Sequence, residues 1–456
     1  MTGTPGCTSH KKRSKRWLLL PVGLLVLALG IYFNRDRLER AVIAERIYQA
    51  HVFTPPPRIP SESQWHRFRD GAQFYWDLAG LYLAREKRLK QFNPELRPLL
   101  KEIRRHQAAG EEMQYSMHIY REIRWWLNFT PDVETTRQRI ADLRRSLAQP
   151  AEQKLAAEQQ ASDGSWGLGF TVWYLKLYYS VEDGLNGRTT DPQYPLSFLD
   201  RINSPERLTA LLNSDLHDDF TKTGVFDREE LDETFSAIAR LLFGHKRTGY
   251  TFNPNLKDAL RDFVDRWQNP ATGCWGQWMV DREGRIWKMD DMGMTFHVIS
   301  DLHGQVKHLD LIAKRLLQLD NDNFPAGIRV NGHYENHLNW DAVIILRYSW
   351  PTLDAATRQQ ARVEISRMLN WCLTKSYQPD GSFKVSELDD TLGDAYSYGV
   401  YFLKDAGYFQ SRNRFWTNQD FPEANTVCHR IETKLTSIGL GDPELKDAYE
   451  TLHDMK

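Results

Sequence analysis

The sequence predicts an all-α fold, an α/α toroid of about six stacked helical hairpins, preceded by one N-terminal transmembrane helix. Three observations carry this expectation. An apolar run near the N-terminus is flanked by basic residues. Most of the remaining chain places apolar residues three and four positions apart. A glycine turn recurs through the C-terminal two thirds.

Residues 1–16 read as a basic cytoplasmic tail with Lys11, Lys12, Arg13, Lys15 and Arg16 close to the span. Trp17–Phe33 is a 17-residue stretch without a charge, at the short end of what crosses a bilayer. Trp17 and Tyr32 sit at its ends, where amphipathic rings favour the interface. The excess of positive charge before it keeps the N-terminus in the cytoplasm and exports the rest, into the periplasm of a bacterial cell. No small-x-small cleavage site follows, so the span reads as an uncleaved signal anchor of a single-pass membrane protein. Residues 34–62 read as a juxtamembrane helix and a Pro-rich, stiff linker, "TPPPRIPSES". Residues 63–456 form the predicted toroid domain.

Within that domain "FYWDLAGLYLAREKRLKQF", "MQYSMHIYREIRWWL", "VETTRQRIADLRRSLAQ" and "LTALLNSDL" each show helical periodicity, and strand-like alternation is scarce. Residues 64–145 would supply one extra hairpin. Turns at Gly164, Gly224, Gly273, Gly327 and Gly381 are separated by 60, 49, 54 and 54 residues. That length accommodates two antiparallel helices of about 11–15 residues with their connections. Stacked hairpins of this kind bury each apolar face against the next.

The charge balance, 59 basic against 60 acidic residues, gives no sign of nucleic-acid binding. The four cysteines are far apart and form no CxxC. There is no P-loop, no GxGxxG after a strand and no GxSxG, and no cofactor is expected. "HYENH" would put His333 and His337 on one helical face, but no third ligand is evident and no metal is expected. "SDLHDDFTK" reads as a solvated face.

Gln160-x3-Gly164-x-Trp166 and Gln268-x4-Gly273-x-Trp275 resemble the QW motif of terpenoid cyclases and related prenyltransferase-type toroids. Gln378-x2-Gly381-x-Phe383 is a looser copy. The resemblance spans about residues 155–405. It implies a toroid in which the Gln satisfies backbone groups at a helix end and the aromatic ring packs on the neighbouring repeat. Glycan lyase, glucuronyl epimerase and glycosidase toroids use similar turns, so the resemblance bears on fold more than on activity.

In a toroid the residues just after each turn reach the mouth of the ring. The third repeat carries Asp290 and Asp291 there, then Thr295, His297 and Asp301. The fourth carries Glu335, Asn336, His337 and Asp341 with Trp340 beside them. The fifth carries Glu387, Asp389, Asp390 and Asp394, then Tyr396 and Tyr398. The first offers only Trp173, Tyr174 and Tyr178. The candidate catalytic residues are therefore Asp389, Asp390, Glu387, Asp291, Glu335, His337, Asp341 and His297. Trp340, Tyr396 and Tyr398 are candidate sugar-stacking residues. Carboxylates paired with one another, or with His or Tyr, perform acid/base work on sugars. The leading expectation is an enzyme acting on an extracytoplasmic polysaccharide as a lyase, hydrolase or epimerase. "ELDDT" also resembles the DxDDT acid motif of class II terpenoid cyclases, which implies Asp389 as a general acid. The same acids suit helix capping, where carboxylates accept free N–H groups. A non-catalytic glycan-binding or scaffold protein of the envelope would need nothing more.

Overall fold

The structure is a computed structural model that describes residues 35–58, 63–109, 111, 113–149, 160–166, 169–186, 192–244, 249–386 and 391–455. The predicted span Trp17–Phe33 lies outside them. Among the described residues no helix is long and apolar enough to cross a membrane.

The fold is predominantly helical. Helix α1 covers 35–49. Residues Gln64–Ala108 form α2, a single 45-residue helix started by Ser63, whose hydroxyl accepts from the His66 N–H. Helices α3 (Gln114–Phe129) and α4 (Val133–Leu147) follow. Residues 64–147 are thus three helices, not one hairpin. They bury Phe92, Leu96, Ile103, Met117, Ile123, Leu127, Ile140 and Leu143 in a core of their own.

Beyond them come α5 (Trp173–Tyr179), α6 (Pro205–Leu216), α7 (Arg228–Phe243), α8 (Leu256–Trp267), α9 (Met292–Asp301), α10 (Leu309–Gln318), α11 (Asn336–Ser349), α12 (Ala355–Trp371), α13 (Leu392–Asp405), α14 (Ala424–Ile438) and α15 (Pro443–His453). Alternate helices touch in chain order: α5 meets α7, α7 meets α9, α9 meets α11, α11 meets α13 and α13 meets α15. Between them α6 packs on α8, and α10 on α12. One continuous apolar core, from Trp166 to Leu452, joins these helices.

Four short strands interrupt the helices: β1 (Phe53–Thr54), β2 (His217–Asp218), β3 (Trp278–Val280) and β4 (Ile286–Met289), in spatial order β1-β4-β3-β2. The Pro-rich segment therefore begins as a docked strand. Phe53 pairs with Met289, and the Val52 carbonyl accepts from the Asp290 N–H at 2.8 Å. "SDLHDDFTK" also departs from a solvated face. Asp218 is buried on β2, and burial pushes both its carboxyl and that of Asp215 up to about 7.

The glycine turns divide into two kinds. At Gly164 and Gly273 the preceding Gln reaches across the turn in the same way. Gln160 Nε2 donates to the Gly164 and Tyr194 carbonyls, and Gln268 Nε2 to the Gly273 and Lys307 carbonyls. Each side chain thereby ties its turn to the chain entering the next segment. Gln378 Nε2 bonds only locally, to Ser376. Gly164, Gly273 and Gly381 all have positive φ and lie against backbone of a following segment. Gly224 also has positive φ but caps a single helical turn in open space, and Gly327 has no positive φ.

Replacing Gly164 by Ala puts a Cβ 2.1 Å from the Pro195 carbonyl oxygen at φ +84°, whereas at Gly224 nothing lies within 4 Å. Gly164→Ala is expected to lose about 3 kcal/mol or more and Gly224→Ala about 1 kcal/mol. Urea midpoints of the two variants check this. Equal losses would mean that the turn does not depend on close approach.

Candidate active site

The site begins with "DREELDETF", the start of α7. Asp227 caps the helix by accepting from the Glu229 and Glu230 N–H groups, and it also accepts from Trp125 Nε1 at 2.7 Å. Residues four apart share a helical face. Arg228 and Asp232 therefore form one row, and Glu229 and Glu233 a second row beside it.

Strand β4 delivers Asp291 to the first row. Arg228 holds it with two bonds, Nε to Oδ2 at 2.6 Å and Nη2 to Oδ1 at 3.2 Å. The same Oδ1 caps α9 by accepting from the Gly293 and Met294 N–H groups. Asp291 is thus both a helix cap and half of a buried ion pair. Burial pushes its carboxyl up and the Arg228 guanidinium pulls it back; burial lowers Arg228, but Asp291 outweighs that and raises it. Phe324 covers the guanidinium, its ring centroid 4.7 Å away.

One turn further along α9, His297 Nδ1 lies 2.8 Å from Asp232 Oδ1. Burial lowers the imidazole, but the Asp232 carboxylate outweighs it and lifts the pKa to about 9. Asp341, on the neighbouring α11, is within electrostatic reach of His297, Asp232 and Asp291. Burial raises its carboxyl well above the ordinary range, and repulsion from Asp232 and Asp291 adds to this. Glu233 is pushed up to about 8, by burial and then by Asp232. The cluster therefore favours the protonated forms of Glu233, Asp341 and His297.

Part of the cluster remains accessible: 38% of the Glu229 side chain and 17% of the His297 side chain are exposed, and Glu233 and Tyr178 are half-buried. Asp341 Oδ1 and Glu233 Oε2 are buried without a hydrogen-bond partner among the described residues. Buried polar atoms are ordinarily paired, so such atoms mark places where a polar ligand or water fits.

Of the residues singled out in the sequence, Asp291, His297 and Asp341 converge here. His337 approaches the group, with Nε2 4.0 Å from Asp341 Oδ2, and stacks on Tyr398 with centroids 3.9 Å apart. Glu335 is buried at the N-cap position of α11 but makes no capping bond. His333 lies in the preceding turn, bridged to Val330, so the expected His333–His337 helical pair does not form. Asp290 points elsewhere, into Arg315, Asn269 and Thr272. Thr295 bonds back to the Asp291 carbonyl, and Asp301 pairs with Arg240. Asn336 donates to Ser376, and Asp394 completes a capping box with Thr391.

One of the aromatic expectations needs correction. Tyr396 is fully buried and packs edge-on against Phe383, because residues two apart on a helix face different ways. It is a core residue and offers no stacking face. Trp340 spends its N–H on Asp405 at 2.9 Å and lies among Phe296, Tyr398 and Tyr401. Glu387, Asp389 and Asp390 lie outside the described residues.

Sequence reasoning missed Arg228, Asp232, Glu229 and Glu233. The usable signal was the pair of four-residue spacings in "DREELDE", directly after the second turn.

No family model, no curated protein and no solved structure matches the chain. The fold and site define an all-α protein with a cluster of acidic groups around His297.

The His297–Asp232 pair makes stability pH-dependent. A pKa raised from 6.5 to about 9 on folding stabilises the protein by up to about 3 kcal/mol. That contribution is complete below about pH 6.5 and disappears as pH rises through about 9. Urea unfolding of wild type and His297→Gln at pH 6 and pH 10 should show a gap that narrows at the higher pH. A gap of constant size would contradict the pairing.

Proposed function

We propose that the chain is a membrane-anchored α/α-toroid enzyme performing acid/base chemistry on an extracytoplasmic polysaccharide, as a lyase, hydrolase or epimerase. The observation that carries this reading is that two carboxyls whose protonated forms are favoured, Asp341 and Glu233, both lie within electrostatic reach of His297. A carboxyl kept protonated at neutral pH can donate to a glycosidic oxygen, and a neighbouring ionised group can take a proton from carbon or water. Glu229, Asp232 and Tyr178 supply further polar groups for sugar hydroxyls.

Ring closure is supported by the chain-order contacts from α5 to α15. It is supported further by Glu444, at the start of α15, which lies within electrostatic range of Arg121 on α3. Helix α3 in turn packs on α5 through Trp125 and Tyr174. A terpenoid-cyclase-like activity needs a hydrocarbon-lined hole, and the ionisable groups clustered around His297 count against it. The apolar run Trp17–Phe33 supports export and anchoring.

Incubation of the full chain with panels of neutral and uronate-containing polysaccharides tests the reading, with product size and new unsaturated or inverted sugars as readouts. Glu233→Gln is expected to lose at least about 100-fold in turnover on whichever polymer the wild type converts. No conversion of any polymer, or undiminished conversion by the variant, would refute it.

A further inference from the structure

Nine large hydrophobic side chains are exposed among the described residues, and five of them fall between residues 38 and 68: Leu38, Val42, Tyr48, Trp65 and Phe68. Trp65 and Phe68, 68% and 67% exposed, stack on each other in the first turns of α2. Leu38 and Val42, four residues apart, share a face of α1. Between the two helices runs a largely apolar groove of about 650 Å³, bounded by Ala44, Tyr48, Pro56, Phe68, Tyr75 and Trp287. Exposed apolar side chains recurring along two packed helices mark a contact surface.

The neighbouring sequence says what covers it. The uncharged run Trp17–Phe33 ends two residues before Arg35, the first described residue of α1. Arg35, Arg37 and Arg46 on α1 and Arg67 and Arg69 on α2 are exposed, with Arg35 paired to Glu39 and Arg69 to Asp70. Exposed aromatic and aliphatic side chains interspersed with arginines are the composition of an interfacial helix on an anionic lipid surface. Resting on the reading of Trp17–Phe33 as a membrane span, we infer that α1 and the start of α2 lie along the outer surface of the same bilayer. Leu38, Val42, Trp65 and Phe68 enter its headgroup region and seat the domain on the membrane.

The geometry gives this a sharp alternative. Helices α1 and α2 are antiparallel: Lys87 Nζ meets Asp36 Oδ2 at 2.5 Å, and Tyr75 meets Tyr48 with centroids 5.3 Å apart. From Lys87, beside the membrane exit, to Phe68 is 19 residues, about 28 Å along the α2 axis. If α1 stood upright as a stalk, Phe68 would be held about that far from the lipid. If α1 lies flat, Phe68 is immersed.

The test uses the full-length chain, with Cys7 and Cys428 changed to Ser, in phosphatidylcholine–phosphatidylglycerol vesicles. Phe68→Cys and, separately, Trp65→Cys carry an environment-sensitive fluorophore, and Val363→Cys, another exposed position, is the reference. Bromination of the lipid chains is expected to quench most of the emission at 65 and 68 and to leave 363 unchanged. Unquenched labels at 65 and 68 in protein that floats with the vesicles would overturn the seat and leave the anchor intact. Protein that does not float would overturn both.

Discussion

Asp341→Asn is expected to lower turnover by about 10²–10⁴-fold, the range of a lost general acid, with a much smaller change in KM. Asn keeps the shape and cannot release a proton. The fold should survive, because burial favours the neutral form of Asp341, whose shape Asn reproduces. The sign of the pH effect separates function from folding. The carboxyl is raised in the folded state, so its stabilising contribution is complete below about 3.8 and disappears as pH rises through the folded pKa. Asp341→Asn lacks this decline. Its stability relative to wild type should therefore improve towards alkaline pH while turnover stays low. Turnover equal to wild type would remove Asp341 from the mechanism.

Arg228→Met is expected to destabilise the protein by about 3–5 kcal/mol, measured by urea unfolding. The guanidinium makes two bonds to Asp291, and both groups are buried. Removing the cation leaves a carboxylate inside the protein with only the Gly293 and Met294 N–H groups to hold it. Adding Asp291→Asn should recover a large part of the loss, because an amide oxygen can still cap α9 without a charge. A loss below about 1 kcal/mol for the single variant would mean that Asp291 is neutral or that water reaches it.

How legible the site was differs residue by residue. Asp291, His297 and Asp341 were accessible from the rule that chemistry follows each turn, and the structure brings those three together. The same rule applied to the second turn would have found Arg228, Asp232 and Glu233, but charges at four-residue spacing look alike on a solvated helix and in a buried cluster. Tyr396 and Tyr398 show the reverse error. Two positions on one helix differ by 200°, and only the packing of Phe383 against Tyr396 fixes which of them faces the core. The fold was partly legible for a related reason. Gln160 and Gln268 repeat one bonding pattern, whereas Gly224 and Gly327 share the spacing without sharing the turn.

Helical periodicity is local: each apolar face follows from side chains within two turns, so the sequence by itself determined the all-α class and most helix positions. The uncharged run at Trp17–Phe33 and the three turns with positive φ at Gly164, Gly273 and Gly381 were equally local. Protonation is not local. Whether Asp341 keeps its proton depends on burial and on Asp232, which is 109 positions away in the chain and near in space. Electrostatic energy depends on distance and on exclusion of water, and both are set only when α7, α9 and α11 pack side by side. Tertiary structure alone therefore decided which of many acids share a cluster and which, such as Asp290 and Asp394, serve the fold.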